Sequence, residues 1–272
     1  MTRPAPLVVA HRGSSSAVAE HTLGAYRLAL SEGADALECD VRLTADGVPV
    51  CLHDRTLERT GASDGVVSTM TLDALSAVDW GAWKHAGAPR DAMRDPEWGR
   101  LTTLRDLIEL AVTADRAVGL AIETKHPTRF GGRVEHEVAA LLGEFDLPGP
   151  HRDGMAWARM MSFSQLAVRR MTSLCPELPT VFLMSHPLPL AYRSGALPSG
   201  AGAAGLDMAI LRARPEVVAR QHDAGPRGLR VDGRRGRGHP AVSGARSGRN
   251  HHQSPPPRAR RGRPQPIISS RA

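Results

Sequence analysis

Short apolar runs alternate with amphipathic ones along the first 226 residues. Pro6–His11 (PLVVAH) is a compact apolar run ending in polar residues, the signature of a buried strand. Thr22 then stands as an N-cap before LGAYRLALSEG, where Leu23, Tyr26 and Leu30 share a helical stripe and Gly33 closes the segment. The stretch ADALECDVRL reads as a second strand, ADG as a turn, and VPVCLHD as a third extended run. Further on, TTLRDLIELAVTA, RVEHEVAALLGEF and QLAVRRMTSLC carry helical periodicity, while AVGLAIETKH, ARMMSFS and LPTVFLM read as strands. Residues 55–100 break this rhythm, with Trp80, Trp83 and Trp98 set among Gly, Pro and charges, and are expected to form a small insertion whose tryptophans serve packing.

Repeated strand–helix alternation with strands apolar on both faces implies a parallel sheet covered on both sides. About five such units in one body of this length favour an eight-stranded (β/α)8 TIM barrel over an open doubly wound sheet. No GxGxxG fingerprint follows the first strand, which argues against dinucleotide binding.

Charge divides the chain. Of the formal +7, residues 227–272 carry twelve Arg, no Lys and a single acid, Asp232, for +11, so residues 1–226 sum to −4. The basic character belongs to the tail, whose Arg, Gly, Pro, Ser and His composition predicts disorder. Without Lys or aromatic side chains for base stacking, that tail is a poor nucleic-acid binder, although a polyanion-binding role remains the rival reading. Three cysteines, Cys39, Cys51 and Cys175, with no CxxC spacing, suggest neither a disulfide framework nor a zinc knuckle. Cys39 and Cys51 read as small buried hydrophobes. With no apolar run long enough for a membrane span or a signal peptide, the expected location is the cytoplasm.

The candidate chemistry lies where barrel enzymes keep it, at the carboxyl ends of strands. His11 and Arg12 follow the first strand, Glu38 and Asp40 lie late in the second, His53 and Asp54 close the third run, and Glu123 and Lys125 close a later strand. Glu38 and Asp40, two apart on an extended segment, share a face, as do Glu123 and Lys125. Three carboxylates converging at a barrel mouth repel one another unless a cation sits among them, and oxygen ligands favour Mg2+ or Ca2+. Two imidazoles can exchange protons near neutrality, and Arg12 and Lys125 suit a phosphate. Each residue alone has a bland reading, as a strand-end cap or, for Glu123 with Lys125, a structural ion pair. The combination points to phosphate-ester cleavage.

The elements AHRG (Ala10–Gly13), EHT (Glu20–Thr22), GADALECDVRLTADGVPVCLHD (Gly33–Asp54), LERTG (Leu57–Gly61) and IETK (Ile122–Lys125), in that order and spacing, resemble the glycerophosphodiester phosphodiesterases, with SFS (Ser162–Ser164) a weaker match. The resemblance covers about residues 5–226. It implies a TIM barrel of the phospholipase-C-like phosphodiesterase type and metal-dependent hydrolysis of glycerophosphodiesters to glycerol 3-phosphate and an alcohol. Carried onto this chain, it implies Glu38, Asp40 and Glu123 as metal ligands, His11 and His53 as acid and base, and Arg12 and Lys125 as phosphate contacts. It also implies attack by the neighbouring glycerol hydroxyl through a cyclic phosphate. One local departure is AEHT (Ala19–Thr22), where the family often has Pro-Glu-Asn-Thr. The larger departure is terminal: the family's closing strands, one resembling WTV and one GVDGIITDRP, are missing. A one-base shift of reading frame permits Val231–Pro256 to be re-read as WTVDEAEDIRLCQELGVDAIITNRP, so the expected architecture is a catalytic domain over 1–226 whose last strands are missing and a basic tail over 227–272. A catalytically impaired, truncated barrel is the alternative outcome.

Overall fold

The computed structural model describes residues 7–84, 96–147, 158–198, 200–223 and 229–230. The strands are β1 (Val9–His11), β2 (Ala36–Leu43), β3 (Pro49–Cys51), β4 (Gly119–Thr124), β5 (Ala158–Ser162), β6 (Thr180–Met184), β7 (Ala203–Leu206) and β8 (Leu229–Arg230). Between them run α1 (Leu23–Ser31), α2 (Leu72–Ser76), α3 (Leu104–Val112), α4 (Arg133–Glu144), α5 (Gln165–Leu174), α6 (Met208–Ala213) and α7 (Glu216–Asp223). Of the tail expected over 227–272, Leu229–Arg230 form β8 in the sheet, and residues 231–272 lie outside the described residues.

Seven strands pair in parallel in the order β1-β2-β4-β5-β6-β7-β8. Among the described residues no pairing joins β8 to β1, and the sheet they form is a TIM-barrel arc. β3 departs from the parallel rule. It pairs antiparallel with β2, Val41 opposite Cys51, because the link through Gly47 (φ 87°) is a turn too short for a crossover helix. Nothing in the pattern of apolar positions marked β7: its Ala-Ala-Gly-Leu core lacks the bulky branched residues that signal strands.

Side-chain alternation sorts the barrel into two apolar compartments. Leu37, Cys39, Val41, Leu120, Ile122, Met160 and Phe182 point outward and pack under the helices with Leu107, Ile108, Val138, Leu142 and Met171. Val9, Ala36, Ala121, Met161, Val181 and Leu183 form a separate interior cluster. The interior positions nearer the strands' carboxyl ends on β1, β2 and β4 are polar instead: His11, Glu38, Asp40 and Glu123, all buried. Polar groups therefore sit on an apolar floor.

Local signals explain the helix starts. Thr22 accepts from Ala25 N at 3.2 Å, and Thr103 forms a capping box with Asp106. The segment after β3 has its own small core, which includes Leu52, Leu57, Val67, Leu75, Trp80 and Leu101. Trp80 is a packing residue whose indole donates to Leu75 O at 2.9 Å. Cys39 and Cys51 are buried free thiols, also as expected. No helix of the described residues is long and apolar enough to cross a membrane.

The loop after β1 is pinned by Gly13, whose φ of +79° belongs to glycine and whose missing Cβ would stand 2.6 Å from the backbone of Ala25. Gly13→Ala combines a strained dihedral with a clash against α1. The expected loss is about 2–3 kcal/mol in urea unfolding, against little change for Gly33→Ala beyond its own dihedral cost, since nothing lies within 4 Å there.

Candidate active site

Strand register assembles the site. His11 of β1 stands beside Glu38 of β2, and Asp40 of β2 stands beside Glu123 of β4. Parallel pairing thus converts sequence-distant residues into neighbours on one interior face. The three carboxylates offer oxygens that all lie within 4.8 Å of one another, and each is buried. Lys125, just past β4, places its ammonium 2.9 Å from Asp40 Oδ1 and 2.6 Å from Glu123 Oε1. Arg12, just past β1, puts Nε 2.9 Å from Asp40 Oδ2 and donates from a terminal nitrogen to Glu20 Oε1 at 3.0 Å. Its backbone N–H donates to Glu38 Oε2 at 3.0 Å, and His11 Nε2 lies 3.7 Å from that same oxygen.

Six of the seven residues singled out in the sequence, His11, Arg12, Glu38, Asp40, Glu123 and Lys125, therefore meet directly. The seventh, His53, joins them through a relay. Its Nδ1 pairs with Asp54 Oδ1 at 2.7 Å, Asp54 Oδ2 accepts from Arg59 Nε, and Arg59 donates to both oxygens of Glu20 at 2.6 and 3.1 Å. Glu20 then returns the chain to Arg12. Arg42 braces the far side, donating twice to His53 O at 2.9 and 2.7 Å.

Glu20, Arg59 and His21 are the parts that position in the sequence did not single out for a role. Their signal was present in the EHT and LERTG elements, but neither lies on a barrel strand, so strand-end reasoning passed over them. His21 is buried and bridges Tyr26 and Asp40, with Nδ1 2.7 Å from the Tyr26 hydroxyl and Nε2 2.9 Å from Asp40 Oδ2.

Burial sets the ionisation pattern, and neighbouring charges modify it. Glu38 is pushed well above the usual carboxylate range by burial and by the Asp40 charge beside it. Glu123 is raised for the same two reasons to about 7, even with Lys125 opposing the shift. Asp40 goes the other way: burial would raise it, but Lys125, Arg12 and the bond from His21 hold it well below its ordinary value. His11 is lowered well below its usual value by burial and by the Arg12 guanidinium, so its imidazole is neutral at pH 7. Two carboxyls that favour their protonated forms, Glu38 and Glu123, thus flank one firmly ionised carboxylate.

Fold and site together define a class, a barrel enzyme built to handle phosphate esters. The profile of the Glycerophosphoryl diester phosphodiesterase family matches residues 11–233. The chain is 46% identical over 215 residues to the "Probable glycerophosphodiester phosphodiesterase 1" of Mycobacterium tuberculosis, covering 79% of this chain and 77% of that protein. It is 32% identical over 183 residues to a glycerophosphodiester phosphodiesterase of Bacillus subtilis, covering 65% of this chain and 59% of that one. Among solved structures it resembles a phosphodiesterase of Oleispira antarctica in complex with the product sn-glycerol-3-phosphate, with a TM-score of 0.66, 25% identity and coverage of 83% and 84%. A glycerophosphodiester phosphodiesterase of Agrobacterium tumefaciens superposes with a TM-score of 0.63 at 27% identity, covering 85% and 87%. The chain belongs to this family and is a phosphodiesterase of the glycerophosphodiester class.

Glu20 ties the two halves of the site. Burial would raise its carboxyl, but the bonds from Arg59 and the charge of Arg12 outweigh that and hold it at about 2, below the usual 4.5. A depressed carboxylate stabilises the fold above its ordinary value and loses that contribution as pH falls from about 4.5 to about 2, by up to about 3 kcal/mol. Glu20→Gln is expected to cost about 1–3 kcal/mol at pH 7 and to flatten the acid limb of a urea-midpoint-against-pH profile in that window. A wild-type limb unchanged by the substitution contradicts the assignment.

Proposed function

We propose that this chain hydrolyses glycerophosphodiesters to glycerol 3-phosphate and an alcohol, through a catalytic unit spanning residues 1–226. The reading includes a divalent cation, Mg2+ or Ca2+, held by Glu38, Asp40 and Glu123, with His11 and His53 moving protons. The observation that carries it is the charge count at the buried site. Once a cation displaces the protons that Glu38 and Glu123 hold, three carboxylates face two cations, Arg12 and Lys125, an excess of one negative charge in an apolar setting. A dication turns that excess into one positive charge, which a phosphodiester monoanion then neutralises.

The residues fit such an ion. All three ligands supply hard oxygen atoms without sulfur or imidazole among them. Asp40 Oδ1 is buried and, among the described residues, is met by Lys125 Nζ alone, at 2.9 Å. A carboxylate oxygen with a single donor on it keeps a lone pair that a cation can use. Bound there, the cation supplies Lewis-acid stabilisation of the phosphoryl oxygens and of the departing alkoxide.

The chain's own residues supply the rest. His11, kept neutral by burial, accepts the proton of the attacking oxygen as the new O–P bond forms. Arg12 and Lys125 neutralise the non-bridging oxygens as charge grows on them. When the P–O bond to the leaving alcohol breaks, His53 returns a proton to that oxygen. Asp54 on Nδ1 leaves His53 Nε2 to meet the substrate and gives the imidazolium formed in the cycle an adjacent counter-charge. The reading is supported by the family match, by the named activity of the Bacillus relative, and by the product held in the Oleispira structure.

The test is release of glycerol 3-phosphate from glycerophosphocholine with Mg2+ or Ca2+ supplied, and again after EDTA. Activity is expected to vanish with chelation, to fall about 10²–10⁴-fold in His11→Ala or His53→Ala, and to fall at least as far in Glu38→Ala. Turnover indifferent to EDTA and to these substitutions overturns both the cation and the proton carriers.

A further inference from the structure

His21 occupies a costly place. Its backbone is left-handed (φ 61°), its side chain is 2% exposed, and it precedes the N-cap of α1. The loop accepts that strain while holding the residue firmly: His21 N donates to Arg12 O at 3.1 Å, so the two left-handed residues, Arg12 (φ 58°) and His21, brace each other. Both ring nitrogens are engaged, at 2.9 Å to Asp40 Oδ2 and 2.7 Å to the hydroxyl of fully buried Tyr26. Asp40 is ionised and can only accept, so Nε2 carries the proton; Nδ1 must then accept, and the Tyr26 hydroxyl donates to it. This arrangement needs a neutral imidazole, in keeping with the burial that lowers His21 below its usual value.

The consequence falls on Asp40. Its Oδ2 lies 2.9 Å from both His21 Nε2–H and Arg12 Nε, while among the described residues Oδ1 faces Lys125 Nζ alone, also at 2.9 Å. We propose that His21 is a positioning residue for the cation site: the Tyr26–His21–Asp40 relay locks the carboxylate of Asp40 so that Oδ1 is presented to a divalent cation. Tyr26 lies on α1 and Asp40 on β2, so the relay also couples the seating of that helix on the barrel to the geometry of the site. The inference rests on the cation reading above and deepens it by assigning a residue that touches neither metal nor substrate.

Calorimetric titration of the full chain with Ca2+ alone, substrate absent, separates the two. Outer-shell partners of metal ligands commonly contribute about 10–100-fold in affinity, so His21→Ala is expected to weaken Ca2+ binding by that factor. Gln places its amide nitrogen about where His Nε2 lies, whereas Asn reaches only as far as Nδ1. His21→Gln is therefore expected to recover most of the affinity and His21→Asn to resemble His21→Ala. Tyr26→Phe, which frees the tautomer, is expected to fall between. In the assay, the metal concentration giving half-maximal rate should shift in the same order. If His21→Ala fails to fold, the Gln and Asn pair carries the comparison, since both bury an amide and differ in reach. Wild-type protein that binds no Ca2+ overturns the cation reading itself. Wild-type protein that binds it, with Gln and Asn variants equally affected or equally unaffected, overturns the role of His21 alone.

Discussion

The ion-pair network centred on Asp40 is the constraint on which the rest of the site depends. A carboxylate wholly inside a protein is tolerated only when fully compensated. Here compensation comes from three directions: Arg12 after β1, Lys125 after β4 and His21 before α1. Arg12 and His21 bracket the β1–α1 connection and Lys125 opens the one after β4, so Asp40 keeps its ionised form only when β1, β2 and β4 are in register and α1 is seated. Folding and site assembly are thus one event at this end of the barrel.

The same burial that makes Asp40 dependent on its partners makes Glu38 and Glu123 responsive. Their interior neighbours are Ala121 level with Glu38, Met161 level with Glu123, and Val9 and Ala36 one step below, which neither solvate charge nor donate side-chain hydrogen bonds. The two glutamates consequently hold their protons more tightly than free carboxylates do. On the proposed reading, a cage with one strongly ionised and two proton-holding carboxylates would bind a dication with release of protons. The outer relay His53–Asp54–Arg59–Glu20 then keeps the second imidazole tied to this cage from the insertion side.

Much of this was legible in the sequence because strand physics is local. Alternation along ECD and ETK dictates which side chains share a face, and apolar flanks dictate that this face is interior. The helices were legible through Thr22 and Thr103 caps and three-four spacing. What escaped lies where position depends on tertiary contacts. The antiparallel direction of β3 follows from the length of its turn and from pairing with β2. β7 is built from Ala, Ala and Gly, whose small side chains carry almost no periodic signal. Glu20, His21 and Arg59 sit on loops, where the left-handed backbone at Arg12 and His21 and the pairing across the insertion decide what each side chain meets. The compositional break at residue 227 remains a feature of sequence, outside the described residues.

The central claim is that the buried charges are complete only with a dication and a phosphate together, so that each strengthens the binding of the other. Isothermal titration of glycerol 3-phosphate into the wild-type chain, with EDTA and then with saturating Mg2+ or Ca2+, measures that coupling directly. The account predicts an affinity at least about tenfold higher with the cation present, equivalent to about 1.4 kcal/mol of coupling, and the same factor for cation affinity with the phosphate present. An affinity for glycerol 3-phosphate that is equal in both conditions, or lower with the cation, contradicts it.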